Sequence, residues 1–170
     1  MSTRHIVVET DLGPVTVVAQ DAAVTGLYFR HHIRRPSPDT FGPPASPATD
    51  PLLSDAAGQL RAYLAGQRPE FDLPLAAAGS AFQQAVWNLV ADIPRGTTTT
   101  YGAIAAQLGD RTLAYQVGQA VGANPLCIVV PCHRVVGADG ALTGYAGGLK
   151  RKRALLELEE PAQAGAARLF

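Results

Sequence analysis

Hydrophobic and polar residues recur along this chain in two rhythms. Ahead of residue 31 the rhythm is short. HIVVET and VTVVAQ are β-branched runs separated by Asp11, Leu12, Gly13 and Pro14, which predicts a hairpin, and VTGLYFR supplies a third strand. HHIRRPSPDTFGPPASPATDP follows, with six prolines between Pro36 and Pro51. That density excludes a helix or central strand, so residues 31–52 are expected to form a loop long enough to be mobile. From Leu53 to Gly66 the period lengthens, and Leu60, Tyr63 and Leu64 share one helical face. FDLPLAAAGS reads as a linker, dividing the chain into residues 1–77 and 78–170.

The second unit is mainly helical in pattern. Ser80 is placed to cap a helix reaching about Val90, with Phe82, Val86, Leu89 and Val90 as its apolar stripe. After a turn at Pro94, Arg95 and Gly96, two short helices are predicted: about Thr100 to Leu108, stopped by Gly109, and about Leu113 to Gly122, with Thr112 as N-cap. A tight, glycine-containing turn between them suggests a helix-turn-helix. Leu113, Val117, Ala120 and Val121 share one face of the second helix. Thr112, Tyr115, Gln116 and Gln119 share another, the kind of face a recognition helix offers to DNA.

Composition narrows the classes. With hydrophobic residues at 47 % of 170, the chain can bury roughly 70 % of the surface its unfolded form exposes, enough to fold without disulfides or a structural metal. Neither a membrane-spanning run nor a secretory leader is visible, so a cytoplasmic protein is expected. The formal net charge is zero, but it is unevenly spread. Between Gly79 and Arg153, seven basic residues stand against three acidic ones, whereas six stand against eight before Gly79. A mildly basic second half is compatible with phosphate contact and equally with a solvated surface.

The candidate chemistry gathers near the end. LCIVV reads as an apolar strand delivering Pro131, Cys132, His133 and Arg134. If CIVVPC is extended, the Cα atoms of Cys127 and Cys132 lie roughly 16 Å apart, beyond bridging distance, so both thiols are expected to be free. Cys132 sits beside groups that favour a thiolate. Cys127, within the apolar run, reads as a small core residue. On an ideal strand Cys132 and His133 point to opposite faces, so cooperation needs a bent backbone or a water relay. After the glycine-rich GYAGG, the helical wheel of LKRKRALLELEE puts Glu159 inside the leucine arc. A carboxylate there either finds a buried partner, such as a histidine, or snorkels to water.

GANPLCIVVPCHRVVGADGALTGYAGGLKRKRALLELE resembles the signature region of the O6-alkylguanine-DNA alkyltransferases, and the likeness extends over about Ser80 to Glu159. It implies an α/β (α+β) fold: an N-terminal ribonuclease-like sheet, then a mainly helical domain with a helix-turn-helix. The implied activity is a single irreversible transfer of the alkyl group from O6-alkylguanine, and from O4-alkylthymine, in double-stranded DNA. The family's residues carry over as follows: Cys132 as acceptor, His133 as the group taking its proton through water, Glu159 as the acid orienting His133, and Asn124 as the brace of the preceding turn. Tyr101 would touch the lesion base and adjacent phosphate. Val135 through its backbone, Tyr145, Ala146 and Gly147 would line the pocket. Thr100, Thr112, Tyr115, Gln116, Gln119 and Arg134 would meet DNA. The resemblance calls for no cofactor, metal or membrane, and for a monomer; His5, His31 and His32 gain no role from it.

One position departs from the family pattern. Tyr115, in Ala114, Tyr115, Gln116, Val117 and Gly118, stands where an arginine typically fills the gap left by the flipped base. An aromatic wedge can occupy a base stack but brings no charge. Three other readings of the same residues are a lesion binder without transfer, which Cys132 argues against; a cysteine hydrolase, which would need an oxyanion hole; and a helix-turn-helix regulator, which needs no reactive cysteine.

Overall fold

A computed structural model describes residues 2–32 and 34–160. The N-terminal part is a three-stranded antiparallel meander in the order β1, β2, β3, with β1 at Thr3–Val8, β2 at Val15–Gln20 and β3 at Ala23–Phe29. Its register runs from Ile6 opposite Val17 to Val15 opposite Phe29, with an irregularity between Val18 and Ala19. Helix α1, Pro51–Leu64, begins at Asp50, whose side chain accepts from the Leu53 N–H, and lays Leu53, Leu60 and Tyr63 on one face of the sheet.

The proline-rich segment covers the other face. Its short 3-10 turn, Pro38–Phe41, puts Phe41 against Val18 and Tyr28, and Arg35 lies over the Phe41 ring. His5 donates its backbone N–H to Pro43 O (3.2 Å), and its Nδ1 bonds Gly42 O (3.0 Å). The loop expected to be mobile is thus fastened to β1 by hydrogen bonds and one buried aromatic. The prolines exclude regular structure without preventing this attachment.

The outer edge of β3 joins the two halves. Val24 exchanges bonds with the linker, receiving Ala76 N–H and donating to Pro74 O, while Leu27 N–H donates to Pro125 O at 2.8 Å. An edge strand's unpaired groups thereby hold the loop ahead of Cys132. In the second half, α2 (Ala81–Ala91) starts with a complete capping box of Ser80 and Gln83. A two-residue strand, β4 (Thr99–Thr100), leads into α3 (Tyr101–Gln107). Gly109, at φ +95°, ends the α3 turn, and Asp110 rather than Thr112 caps the short 3-10 turn Arg111–Leu113 that precedes α4 (Ala114–Gly122). Trp87 Nε1 donates to Ala120 O at 2.8 Å and pins α4 to α2. Strand β5 (Val135–Val136) pairs in parallel with β4, and α5 (Leu149–Glu159) closes the described structure.

LCIVV does not form the expected strand. Asn124 Nδ2 donates to Val130 O, and Asn124 Oδ1 accepts from Leu126 N–H, both at 2.9 Å, so one side chain ties the ends of a compact turn. Val130 N–H reaches Leu126 O, and Ile128 takes φ +73°, a left-handed conformation that a β-branched residue adopts only when its surroundings compel it. Burial of Leu126, Cys127 and Ile128 outweighs the strand preference of the run.

Candidate active site

That turn sets the cysteine geometry. Cys127 Sγ and Cys132 Sγ lie 3.9 Å apart, where an extended segment would have separated them widely. Cys132 opens a 3-10 turn, Cys132–Arg134, so consecutive side chains fan out in place of alternating across a strand. It borders a cavity of about 160 Å³ shared with Arg34, Tyr101, Gly118, Val121, Tyr145 and Ala146. A larger cavity of about 450 Å³ lies on the far side of Arg134, against Tyr63, Phe71 and Arg95, and does not reach Cys132. Chemistry therefore favours the smaller one.

Behind Cys132 sits a buried charge cluster. His133 Nε2 is 2.9 Å from Glu159 Oε2, while Arg134 approaches both Glu159 oxygens, Nε to Oε1 and Nη2 to Oε2, each at 2.8 Å. Arg134 also donates to Ile93 O at 2.7 Å. Burial pushes the Glu159 carboxyl up to about 8, and burial followed by the Arg134, Lys152 and Arg95 charges pushes His133 down to about 3. Geometry decides the carboxyl's state. A protonated Glu159 would leave the two-pronged guanidinium as an unpaired buried cation, so the carboxylate is the form that fits. Neutral His133 then donates from Nε2 to Glu159. Its Nδ1, buried and without a partner among the described residues, is left as an acceptor.

A second buried cation stands on the other side. Lys152 is fully buried, and its ammonium donates to Val135 O (2.6 Å), Thr143 O (2.8 Å) and Gly144 O (3.0 Å). Loss of water lowers it to about 8, partly offset by Cys132. Cys132 itself is shifted toward thiolate, first by the hydrogen bond from Cys127, then by Asn124 and Lys152, against the opposing effect of burial.

Two family models account for nearly all of the described chain: the ribonuclease-like domain of 6-O-methylguanine DNA methyltransferase matches residues 3–77, and the DNA binding domain of the same family matches residues 81–161. The chain belongs to the 6-O-methylguanine DNA methyltransferase family. The methylated-DNA–protein-cysteine methyltransferase of Mycobacterium tuberculosis (strain ATCC 25618 / H37Rv) is 46 % identical over 154 residues, 90 % of each chain. The protein of that name from Methanosarcina acetivorans is 38 % identical over 156 residues, 91 % of this chain and 97 % of its own. Among solved structures, Mycobacterium tuberculosis OGT in complex with DNA matches with a TM-score of 0.83 at 42 % identity, covering 95 % of this chain and 97 % of that one. The expected fold, a ribonuclease-like sheet domain followed by a helical DNA-binding domain, is the fold of this methyltransferase family.

Within this family member, the residues singled out from the sequence fall into three groups. Cys132, Tyr101, Tyr145 and Ala146 meet at the small cavity, with His133, Glu159 and Asn124 packed behind it. Tyr101 donates its hydroxyl to Thr143 O at 3.1 Å. Thr112, Tyr115, Gln116 and Gln119 are exposed on α4 and the turn before it, Tyr115 at 75 %. Gln119 is already engaged, since Arg34 donates to both its backbone and side-chain oxygens. Three of the remaining residues do not stand where the sequence put them. Arg134 is buried in the Glu159 cluster and is not available to DNA, because a bidentate carboxylate and a carbonyl hold its guanidinium. Thr100 accepts the Ala103 N–H in capping α3 and stays half-exposed. Val135 and Gly147 lie outside the cavity wall. The Val135 carbonyl is taken by Lys152, and the Gly147 carbonyl by Arg151, with Phe29 packed so closely that a Cβ on Gly147 would collide with its ring.

Sequence reasoning missed Lys152, Arg34, His32 and the contact made by Cys127. Lys152 had a readable signal: it precedes Leu155 and Glu159 by three and seven residues, on the same stripe of α5. His32, to which the resemblance gave no role, is buried, with its Nε2 3.7 Å from Cys127 Sγ. No local pattern announces that contact, because it joins the loop after β3 to a turn in the other half of the chain.

Proposed function

We propose that Cys132 accepts the alkyl group from O6-alkylguanine in double-stranded DNA, in one irreversible transfer. The supporting observation is that Cys132 alone presents a nucleophile to a small cavity while its surroundings favour the thiolate. Methyl transfer from DNA to a protein cysteine is the activity that the relatives' names record. The cavity is too narrow to admit a duplex, so the damaged nucleotide must rotate out of the stack to reach it. Exposed Tyr115 on α4 is the candidate to occupy the gap.

The proton leaves Cys132 first. His133 Nδ1 is the acceptor that the Glu159 cluster leaves open, reached through a water, and Glu159 fixes the tautomer that makes it an acceptor. The Cys132 thiolate then attacks the alkyl carbon, a C–S bond forms as the C–O6 bond breaks, and guanine departs with the O6 electron pair, to be protonated. Lys152, held by three carbonyls, contributes its charge to the thiolate and keeps the 143–144 segment against the cavity. Nothing in the site can cleave a thioether, so one protein repairs one lesion.

Intact-mass analysis after incubation with O6-benzylguanine and with a methylated duplex tests the reading. One alkyl increment per chain, mapped to Cys132 and absent from Cys132→Ser, is expected. An adduct on Cys127, or release of several equivalents per protein, would overturn it.

A further inference from the structure

His32 and Cys127 are buried polar groups that the transfer as described leaves unused. Their contacts have a direction. The Phe29 backbone N–H donates to His32 Nδ1 at 3.3 Å, which makes Nδ1 the acceptor and puts the ring proton on Nε2. Nε2 faces Cys127 Sγ at 3.7 Å, and Cys127 Sγ faces Cys132 Sγ at 3.9 Å. With its sulfur accepting from His32, Cys127 has its own S–H left to donate, and the Cys132 sulfur is the acceptor beside it. This arrangement lets every donor in the series, from the β3 backbone to the turn before the nucleophile, run toward Cys132.

We infer that Cys127 is a positioning residue for alkyl transfer: its S–H donates to the Cys132 sulfur and holds it as a thiolate, with His32 fixing the direction of that donation. The inference rests on the reading of Cys132 as acceptor. A sulfur anion 3 % exposed has lost most of its hydration and needs hydrogen bonds in exchange. Asn124 supplies part of this and Lys152 adds its charge without a hydrogen bond, while Tyr101, Tyr145, the adjacent His133 and, across the cavity, Arg34 are the other titratable groups around the sulfur. Tyr28 and Tyr145 flank Cys127, while Arg35 and Arg151 face His32 and, together with burial, keep its ring neutral. The two thiols respond in opposite directions to their shared bond. It pulls Cys132 down and pushes Cys127 well up, the direction that the donor series through His32 requires. The N-terminal domain thereby acquires a part in the chemistry, since His32, in the loop after β3, reaches the nucleophile's neighbour Cys127.

The test is the pH profile of single-turnover reaction with free O6-benzylguanine, which needs no base flipping. In Cys127→Ala and Cys127→Val, the midpoint should rise by about one pH unit, giving a tenfold slower reaction below it, with the alkaline plateau unchanged. Cys127→Ser, which keeps a donor, should return the midpoint toward that of the parent. A midpoint unmoved in the donorless variants, or raised equally by serine, overturns the inference. Should neither donorless chain fold, His32→Phe decides: a raised midpoint supports the series of donors, and an unmoved one overturns it. A parent protein that takes up no benzyl group would instead remove the acceptor reading, and the inference with it.

Discussion

Glu159 receives three hydrogen bonds through two oxygens, two from Arg134 and one from His133, so an amide in its place cannot satisfy the same donors. Glu159→Gln should leave the Arg134 charge unpaired and lower stability by ~3 kcal/mol, while slowing alkyl transfer because His133 loses its fixed tautomer. Urea unfolding and single-turnover rates check both; parent-like values for the two together would leave Glu159 without a role. Lys152→Met should strand three carbonyls and destabilise by a few kcal/mol, on the order of 1 kcal/mol or more for each, visible in the same unfolding curves. The sequence allowed the first residue to be found and not the second. Both lie on the leucine face of α5, but a carboxylate among leucines stands out as an anomaly, whereas a lysine within KRKR blends into a basic run. Cys127 and His32 were out of reach, since their meeting depends on a turn whose composition says strand.

At the scale of elements, that turn and α4 behave differently. The helix could be read from its period, and its exposed face is the one the spacing assigned to Tyr115. The turn could not, because Asn124 bridging and burial of three side chains override β-branched preference. If Tyr115 wedges into the stack, Tyr115→Ala should slow repair of methylated duplex several-fold yet leave reaction with free O6-benzylguanine unchanged, and Tyr115→Arg should equal or exceed the parent on duplex. Equal duplex rates in all three would remove Tyr115 from base extrusion. The basic excess also shrinks once the helices are in place. Of the seven basic residues from Arg95 to Arg153, only Arg111, Lys150 and Arg153 are exposed, whereas Arg134 and Lys152 are buried. Few phosphates can be met, so the logarithm of affinity for undamaged DNA should fall with the logarithm of salt at a slope of about −3 or shallower. A slope well beyond about −4, measured by anisotropy across a salt series, would require cations outside this set.

For the molecule as a whole, two buried histidines tie stability to pH. His32 and His133 are pushed down to about 4 and about 3, while an unfolded chain takes up these protons near the usual imidazole value of about 6.5. Between those limits the unfolded state binds more protons. Stability should therefore fall as the pH drops from about 6.5 toward 4, by up to ~1.4 kcal/mol per pH unit for each histidine. Denaturation midpoints at successive pH values measure this, and His32→Gln should remove about half the slope. The opposite trend, stability rising as neutral solution is acidified, would mean that Glu159 is protonated in the fold, since a carboxyl raised to about 8 gains its proton only when folded.

Trp87 does more than fasten two helices. It is the single tryptophan of the chain, almost wholly buried, and its indole N–H is bonded to the Ala120 carbonyl near the end of α4. Tryptophan emission, excited apart from the five tyrosines, therefore comes from one position on α2 whose hydrogen-bond partner belongs to α4, the helix whose exposed face carries Tyr115. Any tilt or unwinding of α4 as it seats on a duplex would lengthen that bond and shift the emission. The protein thus carries an unlabelled optical probe of its own docking, readable in stopped flow alongside the covalent step, so that engagement of DNA and transfer of the alkyl group can be timed separately.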